Sequence, residues 1–508
     1  METATIVFDN AQAHVLASSD LIRRLRPLVA YREQELPPIA AQHVINLYMA
    51  KKKRRGMHDD VQRIFEDPIA AQKLIDLEWG PKRLTPQIFE AVMRLNGVWD
   101  GWTTLISSAG YFGAGLVRHV ERALVMRLNV KVELTDNRIY HKPYPLTDRH
   151  PQLFDFQKEA VDSWFAAGCR GVIDLPPRSG KTHVAIGIAK RLGLPMLLVV
   201  PTIELVRQTV ARFQEWFPAE DVIGVTGGRP NVKKQRVMNG ALNGIQSRHV
   251  LVIDEFHHSA ASTWQDISAA ATSAYYRLGL TGTHFRSDGK DLAMHAVLSR
   301  CVYRRTVSEM VTLGRLVPAK IAMVRVMGTR STASGHELYA AGVVDNAYRN
   351  GLITVAAQWL IHMGKRVLIL TKEVRHAEAI AASIEGSVQV DGRDNSVVGS
   401  ALKALGTGRI RCVVGTSVIG EGVDVPAADA LIYAAGGRSP VKHKQDYFRV
   451  LTASEGKSHG VIVDFADIHH LKLEDASAQR LGLYRSEETF TSEVIDPDQL
   501  PAWLQRAV

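Results

Sequence analysis

From Pro151 onward, short apolar runs alternate with stretches of helical periodicity, and two of the runs end in strings of charged and hydroxyl residues. Gly171-Val172-Ile173-Asp174-Leu175 leads into Pro176-Pro177-Arg178-Ser179-Gly180-Lys181-Thr182. Val250-Leu251-Val252-Ile253 leads into Asp254-Glu255-Phe256-His257-His258. Runs of this kind read as strands of a parallel sheet, where helical crossovers cover both faces and leave no polar side. Strands are expected at 171–175, 196–200, 221–225, 249–253 and 277–281, with helices near 182–192, 203–216 and 262–273. The rhythm pauses around Leu313–Pro318. It resumes with strands at Ile321–Val326, Arg366–Leu370, 410–414, 429–433 and 460–464 and helices near 343–363 and 374–384. The expected class is α/β, with two tandem parallel-sheet domains at 151–320 and 321–475 and a short polar appendage at 476–508.

Residues 1–150 have another texture. Thr5–Phe8 reads as a strand, Ser19–Arg26 as a helix capped by Ser19 or Asp20 and ended by Pro27. Residues 38–95 look helical and include the run Lys51-Lys52-Lys53-Arg54-Arg55. Trp99–Ile106 reads as turn then strand, Gly115–Met126 as an amphipathic helix and Val130–Leu134 as a strand. These make a small α/β domain with a helical insertion. Lys51–Arg55 is either a phosphate-contacting patch or a solvated helix end. Trp99 and Trp102 read as anchors of their turn, with base stacking as the alternative.

The 508 residues carry a net charge of +10, a modest excess that points to a polyanionic partner without proving one. Three cysteines far apart, Cys169, Cys301 and Cys412, indicate neither a zinc site nor a disulfide framework. No apolar stretch approaches the roughly 20 residues needed to span a bilayer. No signal peptide is read at the start, and a cytoplasmic location without membrane contact is expected.

The chemistry lies in the two strings. Phosphate binding at a strand-to-helix loop needs free backbone N–H groups, a helix start and a cation. Pro177, Arg178, Ser179 and Gly180 supply the loop, Lys181 the cation for β- and γ-phosphates, and Thr182 a hydroxyl for Mg²⁺. Leu175 stands where the textual motif has its first glycine. Asp254 would hold Mg²⁺ and Glu255 would orient the attacking water, both at the mouth of a strand, where open α/β sheets place ligands. Gln157 is a candidate reader of an adenine edge, its amide offering paired donor and acceptor. A nucleoside triphosphatase using ATP and Mg²⁺ is the leading reading.

Around these strings the chain resembles superfamily 2 helicases and translocases over about residues 150–470. Gln157 resembles the Q-motif glutamine, Pro176–Thr182 motif I, Val200–Gln208 motif Ia, and Asp254–His257 motif II in its DExH form. Leu280–Thr283 resembles motif III, Val367–Thr371 motif IV and Gly415–Pro426 motif V, with Gln445–Thr452 in the place of motif VI. The resemblance implies two RecA-like domains with ATP between them. Gly422 and Asp424 would face the nucleotide from the second, with Gln445 and Arg449 as its catalytic residues. It implies a nucleic-acid surface at Thr202, Arg207, Thr226, Gly227, Gly228, Thr371, Thr416 and Ser417. His257, Thr281 and Thr283 would couple the two sites. The front of the chain, through Trp99-Asp100-Gly101, Gly115-Leu116-Val117 and Val132-Glu133-Leu134, loosely resembles the N-terminal domain of UvsW-type phage helicases, which remodel branched DNA.

The chain departs from the family in motif VI. Phe448 stands for its glycine and Thr452 for its last arginine, the finger on the γ-phosphate. Arg449 alone, Arg438 or another residue would then supply that charge, or hydrolysis would be slow. The expected function is an ATP-dependent DNA helicase or translocase acting on duplex, forked or branched DNA. Alternatives are an RNA helicase, a restriction-type motor subunit, or an ATP-gated DNA clamp. Residues 38–95 are a candidate contact for a protein partner.

Overall fold

In the computed structural model, residues 2–32, 102–222, 224, 244–256, 262–282, 291–327, 335–391, 395–416, 428–437 and 440–508 are described. The insertion at 38–95, with Lys51–Arg55, and Trp99 lie outside them. The front domain holds β1 (Thr3–Phe8), β2 (Gln12–Leu16), β3 (Ala30–Arg32), β4 (Trp102–Thr104), β5 (Tyr111–Gly113) and β6 (Lys131–Asp136). Four of them form a sheet in the order β5-β2-β1-β6, while β3 and β4 pair separately. Ala4 and Ile6 of β1 alternate inward onto Val15, Leu21, Leu25, Val120 and Leu124. The helix Ser19–Leu25 is capped by Ser18, one residue earlier than expected, because its hydroxyl reaches the Leu21 N–H at 3.1 Å. The expected helix at 115–126 is an α-helix only over Val117–Arg122 and closes in a π-turn, Ala123–Arg127.

This domain is seated on the one that follows. A side chain at Gly115 would collide with the His295 carbonyl, so only glycine permits that approach. Asn10, fully buried, donates to the Thr272 carbonyl at 3.0 Å, and Arg170 donates back to the Asn10 carbonyl at 3.1 Å. Residues 137–150 then run as a strap across the first lobe of the following domain pair. Tyr144 and Leu146 donate backbone N–H groups to the Leu192 and Lys190 carbonyls, and Asp148 pairs with the Lys190 ammonium at 2.8 Å. His141 stacks on His249 with ring centres 3.4 Å apart. His249 and Arg170 stand at the starts of strands, so strap and front domain sit at the amino ends of the sheet.

The first lobe contains β7 (Arg170–Asp174), β8 (Met196–Val199), β9 (Val250–Ile253), β10 (Tyr276–Thr281) and β11 (Cys301–Arg304), all parallel in the order β11-β7-β10-β9-β8. β9 and β10 are buried along their whole length, as expected of runs covered on both faces. The sequence reading of a strand at 221–225 is not met where the chain is described, since Ala219–Asp221 forms a 3₁₀ turn. β11 was not foreseen: four half-exposed residues give too short a period to read, and pairing with β7 defines them.

The second lobe is a seven-stranded parallel sheet of β12 (Ala319–Val326), β13 (Val367–Thr371), β14 (Ser387–Val390), β15 (Cys412–Thr416), β16 (Ala430–Tyr433), β17 (Gly460–Asp467) and β18 (Phe490–Ile495). Its order is β14-β15-β13-β16-β17-β12-β18. The expected appendage at 476–508 is therefore corrected. β18 is the seventh strand, paired along β12, and Leu500, Trp503, Leu504 and Ala507 of the last helix enter the core. An edge strand exposes alternate side chains, so its polar sequence read as surface. The lobes join at Arg315–Pro318, where Val317 donates to the Leu451 carbonyl at 2.8 Å and Leu316 forms an antiparallel bridge with Thr452. No helix among the described residues is long and apolar enough to cross a membrane.

Candidate active site

The loop after β7 is shaped for a ligand. Arg178 and Gly180 both take left-handed backbone angles, φ 70° and 77°, and Gly180 caps the helix Lys181–Leu192. A helix start at the carboxyl edge of a sheet presents backbone N–H groups there, an arrangement that suits an anion. Ser179 is buried in the loop, and Thr182 occupies the helix's second position. The Lys181 ammonium reaches back to the Leu175 carbonyl at 3.4 Å. A side chain on Gly282 would come within 3.1 Å of that ammonium and 3.0 Å of Pro177, so the end of β10 closes over the loop.

Asp254 and Glu255 follow β9 directly. The Asp254 carboxylate accepts the Glu255 N–H at 2.9 Å, and Glu255 has a left-handed φ of 48° that turns the chain sharply there. Burial raises the Asp254 carboxyl above its ordinary value, and the Lys181 ammonium draws it back. A half-buried carboxylate with one lysine acting on it suits a divalent cation, and Asp254 and Thr182 are the residues that could hold Mg²⁺. Thr281 is buried at the end of β10, between the two strings, and its carbonyl accepts the Leu175 N–H at 2.9 Å. His257 and Thr283 lie outside the described residues.

Gln157 is buried on the helix Asp155–Ala166, and its amide is fully engaged with backbone. It donates to the Ser179 carbonyl at 2.9 Å and accepts the Phe154 N–H at 3.0 Å. Adenine reading is thus not the role its bonds display here; they brace the phosphate loop. Beside it, Phe154 is exposed, with the Arg315 guanidinium 3.5 Å above its ring, linking the start of this helix to the segment that joins the lobes. The sequence offered no signal for Arg315.

In the second lobe, Gln445 sits half-buried on the helix Pro440–Tyr447. Arg449 departs from expectation: it is 4% exposed, and its guanidinium lies on Asp446 at 3.3 Å rather than on an open face. Phe448 fills the core beside it, and Thr452 is held at the hinge by its bridge to Leu316. Gly422 and Asp424 lie outside the described residues, as do Thr226, Gly227, Gly228, Ser417 and Arg438. Of the remaining nucleic-acid candidates, Arg207 is exposed on the helix Ile203–Gln214 and the Thr202 hydroxyl caps that helix by accepting the Leu205 N–H. Thr371 is corrected to a buried position, its hydroxyl donating to the Glu373 carbonyl at 3.0 Å. Thr416 is buried at the end of β15.

A cavity of about 380 Å³ opens between the lobes. Asp174, Pro176, Gly282 and Arg304 line it from the first lobe, Lys444 and Glu487 from the second. Arg304 pairs with Asp174 at 3.2 Å and Lys444 with Glu487 at 2.8 Å. None of these four charged residues stood out in the sequence, because nothing in local spacing joins Asp174 to Arg304 or Lys444 to Glu487.

Residues 150–286 match the family described as "Type III restriction enzyme, res subunit". The chain is 26% identical over 373 residues to the "DNA 3'-5' translocase XPB2" of Sulfurisphaera tokodaii, covering 64% of this chain and 84% of that protein. It is 25% identical over 321 residues to the "DNA 3'-5' helicase XPB" of Mycobacterium tuberculosis, covering 58% of this chain and 56% of that one. It thus spans most of the first relative and about half of the second. A solved structure of T4 UvsW aligns over 97% of this chain and all of its own at 15% identity, with a TM-score of 0.39. The family model over residues 150–286 and these two sequence relatives support an ATP-hydrolysing helicase, similar to those of superfamily 2.

Proposed function

We propose that the chain is an ATP-dependent DNA helicase or translocase, working on duplex, forked or branched DNA. The observation that carries this reading is the meeting of the phosphate loop Pro176–Lys181 and the carboxylates Asp254 and Glu255 at one edge of a sheet, hinged to a second lobe at Arg315–Pro318. The triphosphate lies along the start of the helix Lys181–Leu192, with Lys181 on its outer phosphates. Thr182 and Asp254 would hold Mg²⁺, which neutralises phosphate charge when bound. Glu255 orients a water at the γ-phosphorus. The water oxygen bonds to phosphorus as the bond to the bridging oxygen breaks, its electron pair stays on ADP, and the water proton passes to Glu255.

Cleavage changes what bridges the lobes, so the hinge alternates between closed and open arrangements. Two lobes gripping one strand in turn convert that movement into translocation. The XPB proteins are named as acting 3'-5' on DNA, which favours DNA as the track. Backbone contacts of such a motor position a strand without reading its sequence. The front domain, fixed to the first lobe through Asn10, Arg170 and Gly115, moves with it and supplies a rigid arm for a junction. Residues 38–95 are the proposed partner contact.

Turnover of ATP measured with single-stranded, duplex, forked and four-way DNA, and with RNA, tests this. Many-fold stimulation by forked or four-way DNA is expected. Binding of those DNAs with no rise in turnover rejects the motor, and stimulation by RNA alone replaces DNA as its track.

A further inference from the structure

We infer that Lys444, and not an arginine of the motif VI helix, is the cation that the second lobe presents to the terminal phosphate. The inference rests on the reading that ATP binds between the lobes. Arg449 is buried on Asp446, and Thr452 occupies the hinge bridge with its hydroxyl oxygen enclosed. Among the described residues lining the inter-lobe cavity, Lys444 is the cation contributed by the second lobe. The opposite wall includes Pro176 of the phosphate loop and Gly282, which borders the Lys181 ammonium. A phosphate held by Lys181 therefore looks across this cavity at Lys444.

The position of Lys444 is prepared. Its ammonium rests on Glu487 at 2.8 Å, 6.0 Å from the centre of the Phe448 ring, and the Tyr447 hydroxyl donates to the same carboxylate at 3.4 Å. Glu487 parks the cation at the cavity wall while no phosphate faces it. An incoming triphosphate, carrying more charge than one carboxylate, draws it across. Phe448, the residue that replaces the family's glycine, is buried beside this ammonium. In the step described above Lys444 neither gives nor takes a proton; it offsets charge on the phosphoryl oxygens as the bridging bond breaks. Parking on Glu487 also makes the cation respond to the number of phosphates, because ADP brings no γ-phosphate charge to draw it from the carboxylate.

Three variants of the full chain test this: Lys444→Met, Lys444→Arg and Glu487→Gln, each with DNA-saturated turnover and with titrations of ADP and a non-hydrolysable triphosphate. Lys444→Met is expected to lower kcat about a hundredfold and to weaken the triphosphate while leaving ADP affinity unchanged. Lys444→Arg should restore kcat to within about tenfold of the parent, since a longer cation reaches the same oxygens. Glu487→Gln, by releasing the ammonium, should tighten the triphosphate several-fold. A purely structural ion pair would make Lys444→Met and Glu487→Gln fail alike, and that result overturns the assignment. So does a Lys444→Met kcat within twofold of the parent. If instead the parent neither binds nor cleaves ATP, the nucleotide reading itself falls, an outcome separate from either variant result.

Discussion

The side-chain amide of Gln157 donates to the carbonyl of Ser179 at 2.9 Å, joining the helix before β7 to the crest of the phosphate loop. A side chain on Gly180 would stand 2.5 Å from the same amide nitrogen, so loop and glutamine fit only with glycine there. Both ends of the amide are in use, which makes Gln157 a brace that holds the loop in its left-handed turns.

Removing that brace should weaken nucleotide binding before it affects the fold. Gln157→Ala leaves the Ser179 carbonyl and the Phe154 N–H without partners, at a cost of about 1–3 kcal/mol. The affinity for ATP is expected to drop roughly tenfold to a hundredfold, while DNA binding stays near that of the parent. Fluorescent-nucleotide titration checks it, and an unchanged affinity would show the brace to be dispensable.

Lys181→Ala separates binding of nucleic acid from turnover. The ammonium draws the Asp254 carboxyl down against its burial and sits beside Gly282 at the loop's mouth. Its loss should reduce ATP hydrolysis by at least about a hundredfold, with DNA affinity in the absence of nucleotide within a few-fold of the parent. Loss of DNA binding in parallel would mean that the lysine supports structure.

Stability should fall on mild acidification, through the second lobe. Burial drives the His443 imidazole down to about 4 and that of His376 to about 3. Unfolded, both take a proton near pH 6.5. A folded value below the unfolded one gives stability that is whole above about 6.5 and lost as pH falls, down to about 4 for His443 and about 3 for His376. At pH 5 the loss is on the order of 2 kcal/mol for each histidine. His443 packs among Tyr433, Tyr447 and Tyr484 with Asp464 and Arg480 beside it, and His376 meets Asn350 at 2.9 Å. Thermal midpoints at pH 7.5 and 5 should differ by several degrees, and His443→Phe should narrow the gap. A midpoint that does not move with pH contradicts this account.

The pair Asp464 and Arg480 is the second lobe's internal fastening. The guanidinium forks onto both carboxylate oxygens at 2.9 and 3.1 Å and also donates to the Gly437 and Phe465 carbonyls. Arg480→Met strands a buried carboxylate and should cost about 3–5 kcal/mol. Replacing Asp464 by Asn at the same time should recover part of it, because the stranded charge is gone. Denaturant titration of the two variants measures the difference, and equal losses would place the effect in packing rather than charge.

The sequence alone determined the α/β class, most strands of both lobes and the residues of the phosphate loop and the acidic string. Those are local properties. An apolar run of four or five residues buries both faces only inside a parallel sheet, and a loop that turns through Gly180 into a helix carries its anion site with it. What is written between distant residues waited for the tertiary structure. Whether Arg449 faces a ligand or Asp446, whether β18 hangs free or completes a sheet, and which charges meet across the cleft depend on pairings the chain does not encode by spacing. A charged group is buried only where another element brings its partner, so folding alone decided that Lys444 and Glu487 line the space before the phosphate loop.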